Sequence, residues 1–248
     1  MPRIAVVTPY YKEPLSWLRQ CHESVLAQEV PADHFMVADG FPRQELADWN
    51  VRHVVLPDLA IEGDGGSMGR GIGGALADAC GYDFVAYLDA DNWFLPGHLA
   101  SLLELHRSTG APVCTSFRSF FTPDGVRLDV SEEAEDTLQH VDTSCFFLHR
   151  SAFNLLTLWS RLPRPLGLLC DRVFLAALRN ERFAILSTRR RTVAYRTLYE
   201  LHYRGAGLEP PPGFKPRSIL QPAFQWLQTR EGVEESIRRL GFWPLTFM

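Results

Sequence analysis

The run Phe84-Val85-Ala86-Tyr87-Leu88-Asp89-Ala90-Asp91-Asn92-Trp93 constrains the fold more than any other segment of the chain. Its apolar part reads as a buried central strand, and the strand ends on two carboxylates separated by one small residue. Positions i and i+2 of an extended chain point the same way, so Asp89 and Asp91 project together from the carboxyl end. Open α/β sheets place their ligands at that edge. Two carboxylates aimed together suit a hard divalent cation with positions left for phosphate oxygens, the chemistry of a nucleoside diphosphate site. The same residue types also make ordinary solvated turns, so the rest of the chain has to decide.

With 248 residues and 46% hydrophobic content, the chain can bury one sizeable core, as one large α/β domain or one domain with an appendage. A formal net charge of -4 gives no bulk attraction to nucleic acid or anionic membrane. Cys21, Cys80, Cys114, Cys145 and Cys170 are widely spaced and include no Cys-x-x-Cys pair, which predicts reduced core thiols and a cytoplasmic protein. No apolar stretch approaches the roughly 18 residues needed to span a bilayer, and a strand begins within four residues of Met1, so no leader segment is expected.

Strands and helices alternate along the first half. Arg3 to Thr8 reads as a β-branched strand stopped by Pro9, followed by a helix from Pro14 with Leu18, Cys21, His22, Val25 and Leu26 on its apolar face. Strands are expected at Phe35 to Ala38 and His53 to Leu56, then a helix around Ile72 to Cys80 leading into the Asp89 strand. A helix opened by Pro96 precedes a strand at Val113 to Ser116. The segment Phe117 to Leu128 reads as a hairpin around Pro123-Asp124-Gly125. This alternation implies an α/β fold with a mostly parallel, doubly wound sheet and a less regular second half. From about Gly205, glycine and the triple proline Pro210-Pro211-Pro212 suggest a linker. Helical stretches near Ser218 to Gln228 and Val233 to Leu240 follow, so residues 205–248 are read as a linker and small helical appendage to a domain of residues 1–204. The tail Phe242 to Met248 would pack on the core, close a dimer or touch a membrane surface, packing being favoured.

The opening Val6-Val7-Thr8-Pro9-Tyr10-Tyr11-Lys12-Glu13-Pro14, with Leu18, Ser24-Val25 and Gln28, resembles the start of family 2 glycosyltransferases of GT-A fold. Ala38-Asp39-Gly40, the glycine-rich stretch through Gly81, and Tyr87-Leu88-Asp89-Ala90-Asp91-Asn92 follow in the order used by that family. The resemblance covers roughly the first 100 residues well and the next 100 loosely, dividing the domain into a nucleotide-binding half, 1–110, and an acceptor-side half, 111–204. It implies that Thr8, Pro9, Tyr10 and Glu13 line a nucleoside pocket and that Asp39 contacts the base. An acid and backbone polar groups can read a uracil imide, and a tyrosine ring offers a stacking face. In the loop from Glu62 to Gly74, Asp64 and Gly66 stand where the family has Asn-x-Gly, and Arg70 is the candidate partner for the phosphates.

The resemblance further implies inverting sugar transfer from a nucleotide-diphosphate sugar to an acceptor hydroxyl. UDP is the first guess, with GDP and dTDP not excluded. Asp91 would hold Mn or Mg, with Asp89 at the ribose or a metal-bound water, and His202 is a candidate third ligand from a C-terminal loop. Asp171 is the candidate base that takes the acceptor's proton. The family's usual Glu-Asp is Cys170-Asp171 here, and an Asp at a helix start is also an ordinary cap. Arg172 would pair with it or meet the acceptor. Asp142, in a strand expected over Val141 to Arg150, would orient an acceptor hydroxyl. Arg189-Arg190-Arg191 reads as a solvent-facing run between two strands. Two other classes stay open, a non-catalytic nucleotide-sugar-binding protein and a sugar-phosphate nucleotidyltransferase.

Overall fold

A computed structural model describes residues 1–58 and 65–248. The chain begins with β1 (Ile4–Tyr10), α1 (Leu15–Leu26), β2 (Asp33–Asp39), β3 (Arg52–Leu56), α2 (Ser67–Ala79) and β4 (Phe84–Tyr87). There follow β5 (Trp93–Phe94), α3 (His98–Thr109), β6 (Val113–Phe121), β7 (Arg127–Leu128), α4 (Glu133–Asp136) and β8 (Phe146–His149). The last elements are α5 (Cys170–Asn180), β9 (Ile185–Arg196), α6 (Glu200–Gly205), α7 (Gln221–Leu227) and α8 (Arg230–Leu240).

Among the described residues the strands form a nine-stranded sheet in the order β3-β2-β1-β4-β8-β6-β9-β5, with β7 paired to β6 outside that path. The pairs β3-β2, β2-β1, β1-β4 and β6-β9 are parallel. Strand β8 runs antiparallel to both β4 and β6, so β6 and β9 regain the direction of β4. The carboxyl ends of β1, β2, β4, β6 and β9 therefore lie on one edge, together with the start of β8. That edge collects every carboxylate considered below.

Helix α2 begins at Ser67, five residues ahead of the expected start at Ile72, so most of the stretch read as a glycine loop is helical. Glycine costs a helix about 1 kcal/mol per residue relative to alanine, and close packing explains why it is kept here. A Cβ on Gly73 would lie 2.5 Å from Val7 Cγ1, and one on Gly69 would lie 2.8 Å from Pro9 Cβ. On the helix's other flank, Gly71 meets Ser160 and Gly74 meets Leu156, in the 3₁₀ stretch Arg150–Arg161. Glu62, Gly63 and Asp64 lie outside the described residues.

Three other elements differ from expectation. In place of a continuous strand from Val141, a 3₁₀ turn at Thr143–Cys145 precedes β8, because the Asp142 carboxylate accepts the Ser144 amide at 3.0 Å and bends the chain. His202 lies in α6 rather than in a loop. The run Arg189-Arg190-Arg191 sits inside β9, where the pairing with β6 slips and Arg189 takes a φ of 54°. The hairpin at Pro123-Asp124-Gly125 is present between β6 and β7.

The main core joins β1, β4, β8 and α5 through residues such as Val6, Val85, Phe146 and Phe174, and Trp159 stacks on Phe174 at 4.3 Å. Leu227, Leu240 and Phe242 belong to the same core, and Arg179 donates to the Phe247 carbonyl at 2.7 Å, so the C-terminal segment packs on the rest of the protein. No helix among the described residues is long and apolar enough to cross a membrane.

If the glycine face of α2 sets its distance from β1, Gly73→Ala destabilises the fold by about 1–3 kcal/mol, as overpacking of a tight core does. Urea denaturation measures this, and an unchanged midpoint would mean that the helix can lift without cost.

Candidate functional site

The turn after β4 is fixed from several directions. The Asp89 amide donates to Ser144 Oγ at 3.1 Å, and Asn92 Nδ2 donates to the same oxygen at 3.3 Å. Asn92 Oδ1 accepts the Arg196 amide at 2.9 Å, and the Arg196 guanidinium donates to the Asp91 carbonyl. That guanidinium lies between the Trp17 and Trp93 rings, at 4.5 and 4.8 Å from their centres. Distant strands thus hold the two acids where the sheet edge needs them.

Arg70 is buried, and its Nη2 donates to Asp89 Oδ1 at 2.5 Å while Nη1 donates to the Gly65 carbonyl at 2.7 Å. The residue expected to clamp phosphates is committed to Asp89. Asp91 has no salt bridge among the described residues. Burial, followed by the charges of Asp89, Glu13 and Asp142, pushes its pKa up to about 7. The site is therefore a half-buried cluster of carboxylates in which Asp89 has an ion-pair partner and Asp91 has none among the described residues.

The nucleoside-side residues are only partly where the resemblance put them. Thr8 is fully buried, with Oγ1 2.8 Å from His34 Nε2, and Pro9 packs under Gly66 and Gly69. Tyr10, expected to offer a stacking face, is also buried. Its hydroxyl accepts the Arg43 amide at 3.0 Å and lies 2.7 Å from His53 Nε2. The exposed ring is the next one, Tyr11, edge-on to Phe41 at 4.6 Å with Lys12 over both. Tyr11 lies just past the end of β1, so it escapes the burial that takes Tyr10. Glu13 accepts the Tyr11 amide at 2.7 Å, and Asp39 is half-buried at the end of β2.

The acceptor-side half is organised around Arg118, which lies buried in the middle of β6. It donates to Glu132 at 2.7 Å, Glu135 at 3.2 Å and Asp142 at 3.2 Å. Asp171, in the first turn of α5, has Oδ2 2.6 Å from His140 Nε2, and Oδ1 accepts the Arg172 amide at 2.7 Å. Burial alone would raise the pKa of Asp171; His140, Arg172 and Arg118 outweigh it and hold the carboxyl below its usual range. Burial and the charges of Asp89 and Asp171 push Asp142 up to about 6 against the pull of Arg118, which places Asp142 within electrostatic reach of both acids.

His202 does not join Asp89 and Asp91. Its Nδ1 lies 2.6 Å from Thr197 Oγ1 and its Nε2 2.6 Å from Glu132 Oε1, and no group of three metal-ligating side chains occurs among the described residues. Sequence reasoning passed over Arg118, Glu132, Glu135 and His140. Only the tertiary fold turns Glu132 and Glu135 inward to Arg118, while Glu133 between them stays exposed. The available signal was Arg118 itself, a charge set in an apolar strand, which has to find carboxylates when buried.

The open α/β sheet, with a carboxylate pair after β4 and a glycine-faced helix packed on β1, is of the GT-A type. Residues 5–154 match the profile of Glycosyl transferase family 2, more than half of the chain, and the protein belongs to that family. The succinoglycan biosynthesis protein ExoW of Rhizobium meliloti (strain 1021) is 33% identical over an alignment of 117 positions that covers 42% of this chain and 34% of that protein. The chain thus matches about a third of the length of this curated relative. Among solved structures, S. aureus TarS 1-349 in complex with UDP superposes with a TM-score of 0.59 at 14% identity, covering 79% of this chain and 60% of that one. S. aureus TarS superposes at 0.54 with 15% identity, covering 97% and 43%. These likenesses establish the fold.

Two outcomes follow from the site. Arg70→Leu leaves Asp89 without its cation and lowers stability by about 2–3 kcal/mol, less than for a fully buried pair because Asp89 keeps some exposure. Adding Asp89→Asn recovers part of that loss in chemical denaturation. The folded protein retains a proton on Asp91 that the unfolded chain has released above the ordinary pKa of 3.8, so this residue's contribution to stability falls as pH rises toward about 7. Urea midpoints measured in EDTA from pH 4.5 to 8 should show that slope, and Asp91→Asn should flatten it.

Proposed function

We propose that the protein transfers a sugar from a nucleoside-diphosphate sugar, UDP first, to an acceptor hydroxyl with inversion at the anomeric carbon. The observation that carries this reading is the convergence of Asp91, beside Asp89 and without an ion pair among the described residues, and the anchored Asp171, with Asp142 within electrostatic reach of all three. Family membership supports it, and UDP is suggested by the ligand of one structure of the same fold.

The residues fit a divalent cation: Asp91 and Asp89 are hard oxygen ligands on a site with excess negative charge, and two carboxylates leave positions for diphosphate oxygens and water. When bound, Mn or Mg would neutralise charge developing on the leaving diphosphate. Arg70 holds Asp89 in place for that role. Asp39 and the Tyr11–Phe41 face lie at the nucleoside end. At the other end Asp171, kept ionised by its neighbours, takes the acceptor's proton as the acceptor oxygen attacks. Arg172 and Asp142 flank the position of the incoming hydroxyl. Five unpaired thiols support a reducing, cytoplasmic setting.

Calorimetric titration of UDP with and without manganese tests the donor half. Metal-dependent binding that is lost in Asp91→Ala supports it, and no binding of UDP, GDP or dTDP overturns it. Asp171→Asn should keep UDP affinity while lowering turnover by about 10²–10⁴-fold, the usual span for a general base. Unchanged turnover in that variant would instead favour a protein that binds nucleotide sugars without transferring them.

A further inference from the structure

Asp171 is one half of a pair. An ionised carboxylate can only accept hydrogen bonds, so the 2.6 Å contact between Asp171 Oδ2 and His140 Nε2 places the hydrogen on Nε2. The other ring nitrogen, Nδ1, lies 3.4 Å from Glu132 Oε2 and 3.5 Å from Arg118 Nη2. A neutral His140 accepts there from Arg118, and a protonated one donates to Glu132. In both states Nε2 keeps its hydrogen, so the surroundings fix the tautomer and leave only Nδ1 to titrate.

We propose that His140 is a positioning residue for the transfer assigned above: its Nε2–H holds Oδ2 of Asp171 and leaves Oδ1 to take the acceptor's proton. The inference rests on that assignment of Asp171. Oδ1 meets the Arg172 amide and retains a lone pair for the incoming hydroxyl. In the step, the acceptor oxygen forms its bond to the anomeric carbon while the bond from that carbon to the phosphate oxygen breaks, its electron pair leaving with the nucleotide. The acceptor's proton passes to Oδ1 and is later lost to solvent, and His140 keeps its own hydrogens throughout.

The imidazole is built into place. His140 is 7% exposed, and its amide donates to the Ala134 carbonyl at 2.8 Å. The charged and titratable groups around the pair are Cys170, Asp171 and Arg172 on α5, Arg118 on β6, Glu132 before α4 with His202 of α6 against it, Asp142 after α4, and Tyr199 beyond β9. Burial disfavours the imidazolium, but the carboxylates of Asp171 and Glu132 outweigh burial and raise its pKa. Removing the imidazole leaves Asp171 with its burial and without its nearest cation, so its pKa must move upward.

The test compares wild type with His140→Gln, which keeps an uncharged N–H donor, and His140→Leu, which keeps none. UDP release from UDP-glucose, UDP-galactose and UDP-N-acetylglucosamine is followed with manganese and water as acceptor from pH 5 to 9, beside UDP calorimetry. Both variants should bind UDP within about twofold of wild type. His140→Leu should lose about 10–100-fold in UDP release, the scale of lost second-layer orientation, and its acid limb should shift to higher pH. His140→Gln should recover much of the rate but not the position of the limb. A His140→Leu enzyme that binds UDP with wild-type rate and pH profile overturns the proposal, as does loss of UDP binding in both variants, which would mark a structural role. The ring's ¹⁵N shifts in wild type and Asp171→Asn decide the pair independently of turnover. An Nε2–H tautomer that becomes mixed in the variant supports it, and an Nδ1–H tautomer in wild type overturns it. Wild type that releases no UDP from any donor overturns the transfer reading, and the ring spectrum still reports on the pair.

Discussion

The acceptor-side half depends on one buried guanidinium. Arg118 sits in the middle of β6 among aromatic neighbours, 5.0 Å from the Phe120 ring and 4.6 Å from that of Tyr195. A charge there is tolerable only with partners, and Glu132, Glu135 and Asp142 all turn inward to supply them. Such a cluster adds little net stability over an apolar core of the same shape, because desolvation offsets most of the attraction. Its effect is on geometry. With both flanks anchored, the segment between β7 and β8 puts His140 against Asp171 and Asp142 beside Ser144.

The sheet joins this half to the other. Because β8 enters antiparallel between β4 and β6, the chain reverses twice and β6 and β9 end on the same edge as β1, β2 and β4. Ser144 then braces the Asp89 turn from one side and Arg196 braces it from the other. Arg70 completes the frame from α2, which reaches Asp89 because its glycine face lets the helix lie close to β1. Donor-side and acceptor-side acids are thereby held by residues far away in sequence.

Much of the donor half was legible in the chain itself. The apolar run from Phe84 reads as a buried strand, and period-two geometry then sends Asp89 and Asp91 the same way. The helix from Pro14 was set by its apolar spacing and occurs as read, and Asp171, which the resemblance put at a helix start, lies in the first turn of α5. The glycine stretch was harder. Glycines that free a loop and glycines that let a helix approach a strand look alike in sequence, and only the positions of Val7 and Pro9 tell them apart. Arg70 illustrates the same limit: a basic residue in such a stretch suits phosphate, but here the nearer anion is the protein's own Asp89.

The sequence alone determined the alternation of strands and helices and the shared aim of Asp89 and Asp91, since these follow from local periodicity and backbone direction, and the resemblance to the family pointed to the acid at the start of α5. Tertiary structure decided which side chains those acids meet. Tyr10 turned into the core and Tyr11 outward, His202 was taken by Thr197 and Glu132, and His140 was delivered to Asp171 across 31 residues. Hydrogen bonds and charge pairs between distant segments carry no periodic signature. They are chosen when the chain closes and each buried polar group must find a partner, which is why the site's supporting residues appear only in the folded protein.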